Sequence, residues 1–312
     1  MSNSVKQFLL QHLPLTWINA LSGIKHIMQG DYPVMQRRLY SLEKRVAMAA
    51  RYQINQTALH TTFEVRNPLN AHELSVHSQN GEDGILLYLF TQIGTTNQKF
   101  VEFGIGNGSE CNTANLSLNF GWTGLLMEAN LHKATEAQIF YSQQLKNSAK
   151  NVTVLPAWVT PANINELIRS QNITGEIDLL SIDIDGNDYW VWQAVRVIQP
   201  RIVVIEYNAT FGSEHAVTIP YTPNFDRYQS HPSGFYHGAS LAALNKLGQK
   251  KGYNLVGCDS MGTNAFFVHQ DTSWTQAPLS GKQAYFPSAV RSRYGSPAQQ
   301  SQLIADLPLV EV

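Results

Sequence analysis

The sequence predicts an α/β fold: a doubly wound, mostly parallel seven-stranded sheet with an antiparallel terminal strand pair, plus an N-terminal helical extension. Three observations lead to it. From Ser78 to His269, short apolar runs alternate with helical stretches, the pattern of a parallel sheet covered by helices. Most of the runs are continuous rather than alternating, as strands buried on both faces require. The last two runs, Tyr253–Cys258 and Ala265–His269, are separated only by Asp259–Asn264. That connection is too short for a parallel crossover, so they form an antiparallel hairpin at one edge.

The remaining predicted strands are Lys99–Gly104, Thr123–Glu128, Val152–Val159, Ile177–Asp183 and Arg201–Tyr207. Helical stretches fall near Glu82–Ile93, Gly108–Phe120, His132–Lys146, Asn163–Gln171, Asn187–Ile198 and Ala239–Lys251. Residues 1–75 read as a separate helical extension. Met35, Leu39, Leu42, Val46 and Ala49 make a heptad-like stripe, with Arg37, Arg38, Lys44 and Arg45 on other faces. Two heptads are too few for a coiled coil; the stripe fits a helix docked on its own domain, a homo-oligomer contact or a basic contact with a membrane surface. Residues 76–271 form the core domain, and 272–312, with scattered Pro and Gly, a peripheral tail.

Composition narrows the function. Of 312 residues, 22 are Lys or Arg and 23 Asp or Glu, leaving a net charge of −1. That balance lacks the basic footprint of a general nucleic-acid binder. Charged residues make up 14% of the chain, against roughly 25% in soluble domains. The two cysteines, Cys111 and Cys258, cannot make a disulfide framework, and a reducing, cytoplasmic setting is expected. No run approaches the roughly 18 apolar residues of a membrane span, and the opening stretch does not read as a signal peptide.

The strongest local signal is Val101-Glu102-Phe103-Gly104-Ile105-Gly106-Asn107-Gly108-Ser109-Glu110. An apolar strand runs into glycines that let the backbone turn sharply and approach a ligand. Glu128 ends the next strand, at the spacing where nucleotide-binding α/β folds place a ribose-binding acid. A dinucleotide fingerprint needs Gly or Ala where this chain has Ser109. Glu102, two residues before the first glycine, would repel a pyrophosphate but suits an ammonium or sulfonium group. S-adenosylmethionine has both, and a ribose. The reading assigns Glu102, Gly104, Gly106, Gly108 and Glu128 to that cofactor.

Further acids gather at later strand ends. Asp183 closes Ile177–Asp183, followed by Asp185 and Asp188; Glu206 and Asn208 close the next strand. Ligands of open α/β sheets bind beyond the carboxyl ends of the strands. These groups therefore suit either a hard divalent cation such as Mg2+ or a general base with its partners. His237, just before a helical stretch, is a further candidate for proton abstraction. The long connection Phe211–Gly234, rich in aromatics, reads as a lid over the substrate.

With these residues in view, residues 76–269 resemble the FkbM-type family of class I S-adenosylmethionine-dependent methyltransferases. The likeness is carried by Ser78-Gln79-Asn80-Gly81-Glu82-Asp83, by Val101–Gly106 with Glu128, by Leu180–Asp188, and by Pro200–Glu206. Ser181, Asp185 and Asp188 replace that family's usual Lys, Glu and Glu. The resemblance implies a Rossmann-like sheet and methyl transfer to a sugar or glycan hydroxyl. It adds Gln79 and Asp183 to the cofactor set, with Asp183, Asp185 and His237 as catalytic candidates. Similarity to metal-dependent sugar O-methyltransferases implies Asp183, Glu206 and Asn208 as ligands for Mg2+. Two other classes stay open, a nucleotide-binding oxidoreductase and a non-catalytic scaffold built on the N-terminal helices.

Overall fold

The computed structural model describes residues 68–145 and 151–312. The heptad-like stripe at Met35–Ala49, and the oligomer contact built on it, lie outside the described residues. Among the described residues, no helix is long and apolar enough to cross a membrane.

The main sheet has seven strands: β1 (Lys99–Phe103), β2 (Thr123–Glu128), β3 (Val152–Pro156), β4 (Gly175–Ile182), β5 (Ile198–Glu206), β7 (Tyr253–Cys258) and β8 (Asn264–His269). Their spatial order is β3-β2-β1-β4-β5-β8-β7. Pairings from β3 to β5 are parallel, and β8 runs antiparallel to both β5 and β7. The predicted terminal hairpin therefore forms, with β8 inserted beside β5 and β7 at the edge. A second sheet pairs β6 (Val217–Thr218) with β9 (Val310–Glu311), strands too short for the sequence pattern to signal.

Alternation along each strand sorts side chains to two cores. Val203 and Ile205 face one side with Val101, Phe103 and Phe267; Ile202 and Val204 face the other with Phe100, Leu126 and Phe266. Helices α1 (Glu82–Ile93), α2 (Ala114–Phe120) and α3 (Leu131–Leu145) cover the second side. The first is covered by α4 (Ile164–Ser170), α5 (Asp188–Ala194) and α7 (Leu241–Lys250). At the end of the sheet away from the glycine turn, buried Asp178 accepts from the amides of Thr96, Asn97 and Gln98 and pairs with Arg201 at 2.9 Å.

Two helices are shorter than the sequence pattern suggests. Residues 104–113 are held in turns, because Glu102 captures the amides of Asn112 and Thr113 at 2.8 and 2.9 Å, and α2 begins only at Ala114. After α5, Asn165 accepts from the amides of Arg196 and Val197. This stops the helix and turns the chain into β5. The long connection carries the short helix α6 (Arg227–Ser230), and helices α8 (Gly281–Ala284) and α9 (Pro297–Gln302) follow the sheet.

Candidate functional site

Parallel register brings the carboxyl ends of β1, β2, β4 and β5 to one edge. Glu102 lies opposite Ser181 and Leu126, and Glu206 lies opposite Asn264, the first residue of antiparallel β8. Two cavities open on this edge. One, of about 320 Å3, is lined by Glu82, Glu102, Glu110, Glu136 and Asp183 against Lys133, the single cation among its described lining residues. The other, of about 190 Å3, is lined by Met127, Glu128, Trp158, Val159, Asp185 and Phe225. They meet over Gly104, Gly106, Lys133 and Asp183. The junction thus joins a strongly acidic chamber to one that sets Met127, Trp158, Val159 and Phe225 beside Glu128, Lys133, Asp185 and Asn187.

The glycines divide their duties. Gly104 (φ +83°) has no room for a Cβ, which would fall 1.4 Å from the Asp183 carbonyl oxygen. Gly108 (φ +77°) lets Tyr141 and Ala137 of α3 pack close, 2.9 and 3.0 Å from a Cβ placed there. Gly106 (φ +57°) faces open space where the cavities join. Gly104 and Gly108 serve the backbone approach and helix packing, and Gly106 keeps the floor clear.

The acids differ as sharply. Glu102 accepts from Asn112 N, Thr113 N, Thr113 Oγ1 and Ser181 Oγ at 2.6–3.0 Å, so all four acceptor sites of its carboxylate are used by the protein's own donors. Glu128 accepts one amide on each oxygen, from Gly106 and Asn130, both at 2.8 Å, and keeps further acceptor capacity. Gln79 lines the acidic cavity and donates to Glu110 at 3.2 Å. The segment around it is tied down by Asp83, which accepts from the amides of Val76, His77 and Ser78. Glu82 and Asn264 also face this cavity, bonded to each other at 2.8 Å; the Asn264 side-chain oxygen is buried without a hydrogen-bond partner.

Asp183 has no side-chain hydrogen bond among the described residues. Desolvation comes first in pushing its pKa well above the usual carboxylate range, followed by the charges of Glu206, Asp185, Asp188 and Glu102. Asp188, buried at the start of α5, accepts from the amides of Ile184 and Gly186 at 2.8 Å and so shapes the turn after β4. Burial and the nearby Glu206 charge push it up to about 7. Within that turn Asp185 takes a left-handed φ of +56°, and its exposed carboxylate pairs with Arg227 of α6.

The Glu206 end of the cluster is closed. Arg291 donates to Glu206 at 3.3 Å, to Asn208 Oδ1 at 3.0 Å and to His237 Nε2 at 3.0 Å. Burial alone would raise the Glu206 pKa, but His237 and the two guanidinium groups outweigh it and hold the carboxyl at about 2. Asn208 spends its oxygen on Thr210 N and Arg291, and its amide hydrogens on the carbonyls of Phe235 and His237. Of the ligand set implied by the resemblance, Asp183 and Glu206 lie with Asp185 in one cluster, their carboxylate oxygens within 4.8 Å of one another, while the Asn208 oxygen is spent on Thr210 and Arg291. His237 is buried and faces Arg291 and Asn208 with its two ring nitrogens. Its Nε2 also lies 3.6 Å from Glu206 Oε1, and the ring lines neither cavity.

Arg227, Arg291, Lys133 and Asn264 escape a sequence reading because each reaches the site from outside the strand-end pattern. Arg291 arrives from the stretch read as a tail, and Asn264 enters because β8 is antiparallel.

The strand order, with its single antiparallel insertion between β5 and β7, is the Rossmann-like fold of class I S-adenosylmethionine-dependent methyltransferases. No family model matches the chain, and no curated protein does. Among solved structures, the O-methyltransferase of Bacillus cereus, crystallised with SAH, aligns at 16% identity, covering 70% of this chain and 88% of that one, with a TM-score of 0.37. An S-adenosylmethionine-dependent methyltransferase of Clostridium acetobutylicum aligns at 10% identity over 61% and 92% (TM-score 0.39). PKMT2 of Rickettsia typhi, in complex with AdoHcy, aligns at 10% identity over 62% and 54% (TM-score 0.40). The chain spans little more than half of the Rickettsia protein, and 59% of a matched methyltransferase structure from Galdieria sulphuraria.

Proposed function

We propose that this chain is an S-adenosylmethionine-dependent O-methyltransferase of FkbM type, acting on a hydroxyl of a sugar or glycan. The observation that carries the reading is the junction of the two cavities over Gly104, Gly106 and Asp183. The acidic chamber matches a ligand end bearing ammonium and sulfonium charge. The second chamber, with Trp158 47% exposed, matches a flat base, and Glu128 between β2 and the glycine turn matches ribose hydroxyls.

The residues fit the cofactor by their unmet needs. Among the described residues the buried Asn264 oxygen lacks a donor, Gly106 leaves its floor open, and the Asp183 carboxylate has no hydrogen-bond partner. When bound, S-adenosylmethionine supplies an electrophilic methyl group on its sulfonium. Glu128 and Asn264 hold and orient it, while Glu102 fixes the turn that faces it. Asp183, its pKa raised by desolvation and neighbouring carboxylates, is the group placed to take the acceptor hydroxyl's proton. Orientation of the two reactants supplies much of the acceleration. A sugar acceptor is supported by Tyr228 and Tyr294, 66% and 59% exposed, which pack against Gly234 and Phe235. A guanidinium lies over each ring, Arg227 at 5.5 Å from the Tyr228 centroid and Arg293 at 4.8 Å from that of Tyr294, and the ring area left exposed is what a sugar would meet.

Calorimetry with S-adenosylhomocysteine tests the cofactor assignment. Micromolar binding is expected, weakened about tenfold or more by Glu128→Ala; absent binding, or affinity indifferent to that change, defeats the proposal. A panel of monosaccharide glycosides with radiolabelled methyl donor tests the acceptor. Tyr228→Ala and Tyr294→Ala should raise KM with little change in kcat.

A further inference from the structure

We propose that Arg227 and Arg291 occupy the cation positions of the strand-end acid cluster, so that this site excludes a divalent metal and works without one. The inference rests on the methyltransferase reading only for what the site is used for; the exclusion itself rests on geometry. Asp183, Asp185 and Glu206 bring carboxylate oxygens within 4.8 Å of one another, a spacing that invites a hard cation. Two guanidinium groups already serve the cluster. Arg227 pairs with Asp185 and is fixed by donating twice to the Gly234 carbonyl, at 3.1 and 2.9 Å. Arg291 spans Glu206, Asn208 and His237 at 3.0–3.3 Å.

Both arginines are enclosed, with side chains 16% and 13% exposed, so neither swings away to admit an ion without breaking its other bonds. A metal bound to Glu206 would share that carboxylate with a fixed positive charge, and Asn208 could not turn its oxygen to the ion without releasing Arg291. Mg2+ demands near-octahedral oxygen geometry and gives up water reluctantly, which makes this donor set a poor match. Charge balance agrees. Two fixed guanidinium charges set against the three carboxylates of the cluster already supply most of the positive charge that a divalent ion would bring. The left-handed backbone at Asp185 (φ +56°), braced by Asp188 on the amides to either side, keeps that carboxylate turned to Arg227. The magnesium site implied by resemblance is thus replaced by residues from the long connection and the C-terminal segment.

Mn2+ titration followed by electron paramagnetic resonance, on the full chain, reads this directly. The wild type should show no saturable Mn2+ site below millimolar concentration, and S-adenosylhomocysteine affinity should be the same with and without EDTA. Arg227→Gln combined with Arg291→Gln frees the carboxylates and should tighten Mn2+ binding about tenfold or more, an increase that Asp183→Asn then removes. Micromolar Mn2+ binding by the wild type, lost in Asp183→Asn, overturns the proposal. So does a double variant as inert toward Mn2+ as the wild type. Circular dichroism reports whether the variants fold; Arg227→Gln alone, at the more exposed end, gives the same readout if the double variant does not. If S-adenosylhomocysteine fails to bind while the Mn2+ results hold, the methyltransferase reading falls and the exclusion stands.

Discussion

A Cβ on Gly104 would sit 1.4 Å from the carbonyl oxygen of Asp183. The end of β1 and the end of β4 touch through bare backbone, and that contact sets the distance between the glycine turn and the acid cluster. Gly104→Ala should therefore lower both melting temperature and S-adenosylhomocysteine affinity, by displacing β4. Gly106→Ala meets no atom within 4 Å. It should cost only about 1 kcal/mol of left-handed strain while blocking the cavity floor. Thermal melts and calorimetry on the two variants check this. Equal loss of stability in both would contradict the division of roles.

Glu102 and Asp183 should respond in opposite senses to loss of charge. Glu102 satisfies four donors in the buried wall beneath α2. Glu102→Ala strands those donors and should destabilise the fold by about 3 kcal/mol. Asp183 bonds to none of its described neighbours and is raised by desolvation and by carboxylates around it. Asp183→Asn removes that repulsion and should melt at or above the wild-type temperature, while methyl transfer is lost. Denaturant unfolding alongside turnover separates the two, and a less stable Asp183→Asn would argue for a structural role instead.

These contrasts mark where the sequence is legible. Strand positions follow from apolar runs and the antiparallel terminal pair from its short connection, and Tyr253–Cys258 and Thr123–Glu128 form over the residues their patterns indicate. Strand-end acids were visible because a carboxylate ending an apolar run needs solvent or a partner. Their partners were not visible. Nothing in the spacing around Arg291 says that it crosses to Glu206, 85 residues earlier, and nothing in Glu102 itself says that Asn112 and Thr113 will consume its acceptors. Short strands such as Val217–Thr218 carry no period, and antiparallel β8 delivers Asn264 to an edge that parallel logic reserves for strand ends.

Asp178 and Arg201 should matter for stability and not for chemistry. They pair at the far end of β4 and β5, where Arg201 also donates to the carbonyls of Ile93 and Gly94. Arg201→Met leaves a buried carboxylate short of its cation and should cost about 3 kcal/mol. S-adenosylhomocysteine affinity of the folded protein should be unchanged. Guanidinium unfolding and calorimetry on one preparation provide the test; weakened cofactor affinity would show that the two ends of the sheet are coupled.

Buried acids that lack a cation give the fold a pH dependence with a definite sign. Asp259, in the hairpin before β8, is pushed up from 3.8 to about 7, first by burial and then by Glu82. Asp83 is raised to about 6 by burial. Each is protonated more readily in the fold than in the unfolded chain. Its stabilising contribution is complete below pH about 4 and disappears as pH rises through the folded-state value. Melting temperature should therefore fall, through these two groups, between pH about 4 and about 7. Asp259→Asn keeps an acceptor for the turn and removes the titration, so its melting temperature should decline less steeply over that range. Parallel melts of variant and wild type at matched ionic strength read the difference. Identical slopes would show that Asp259 ionises at the same pH folded and unfolded.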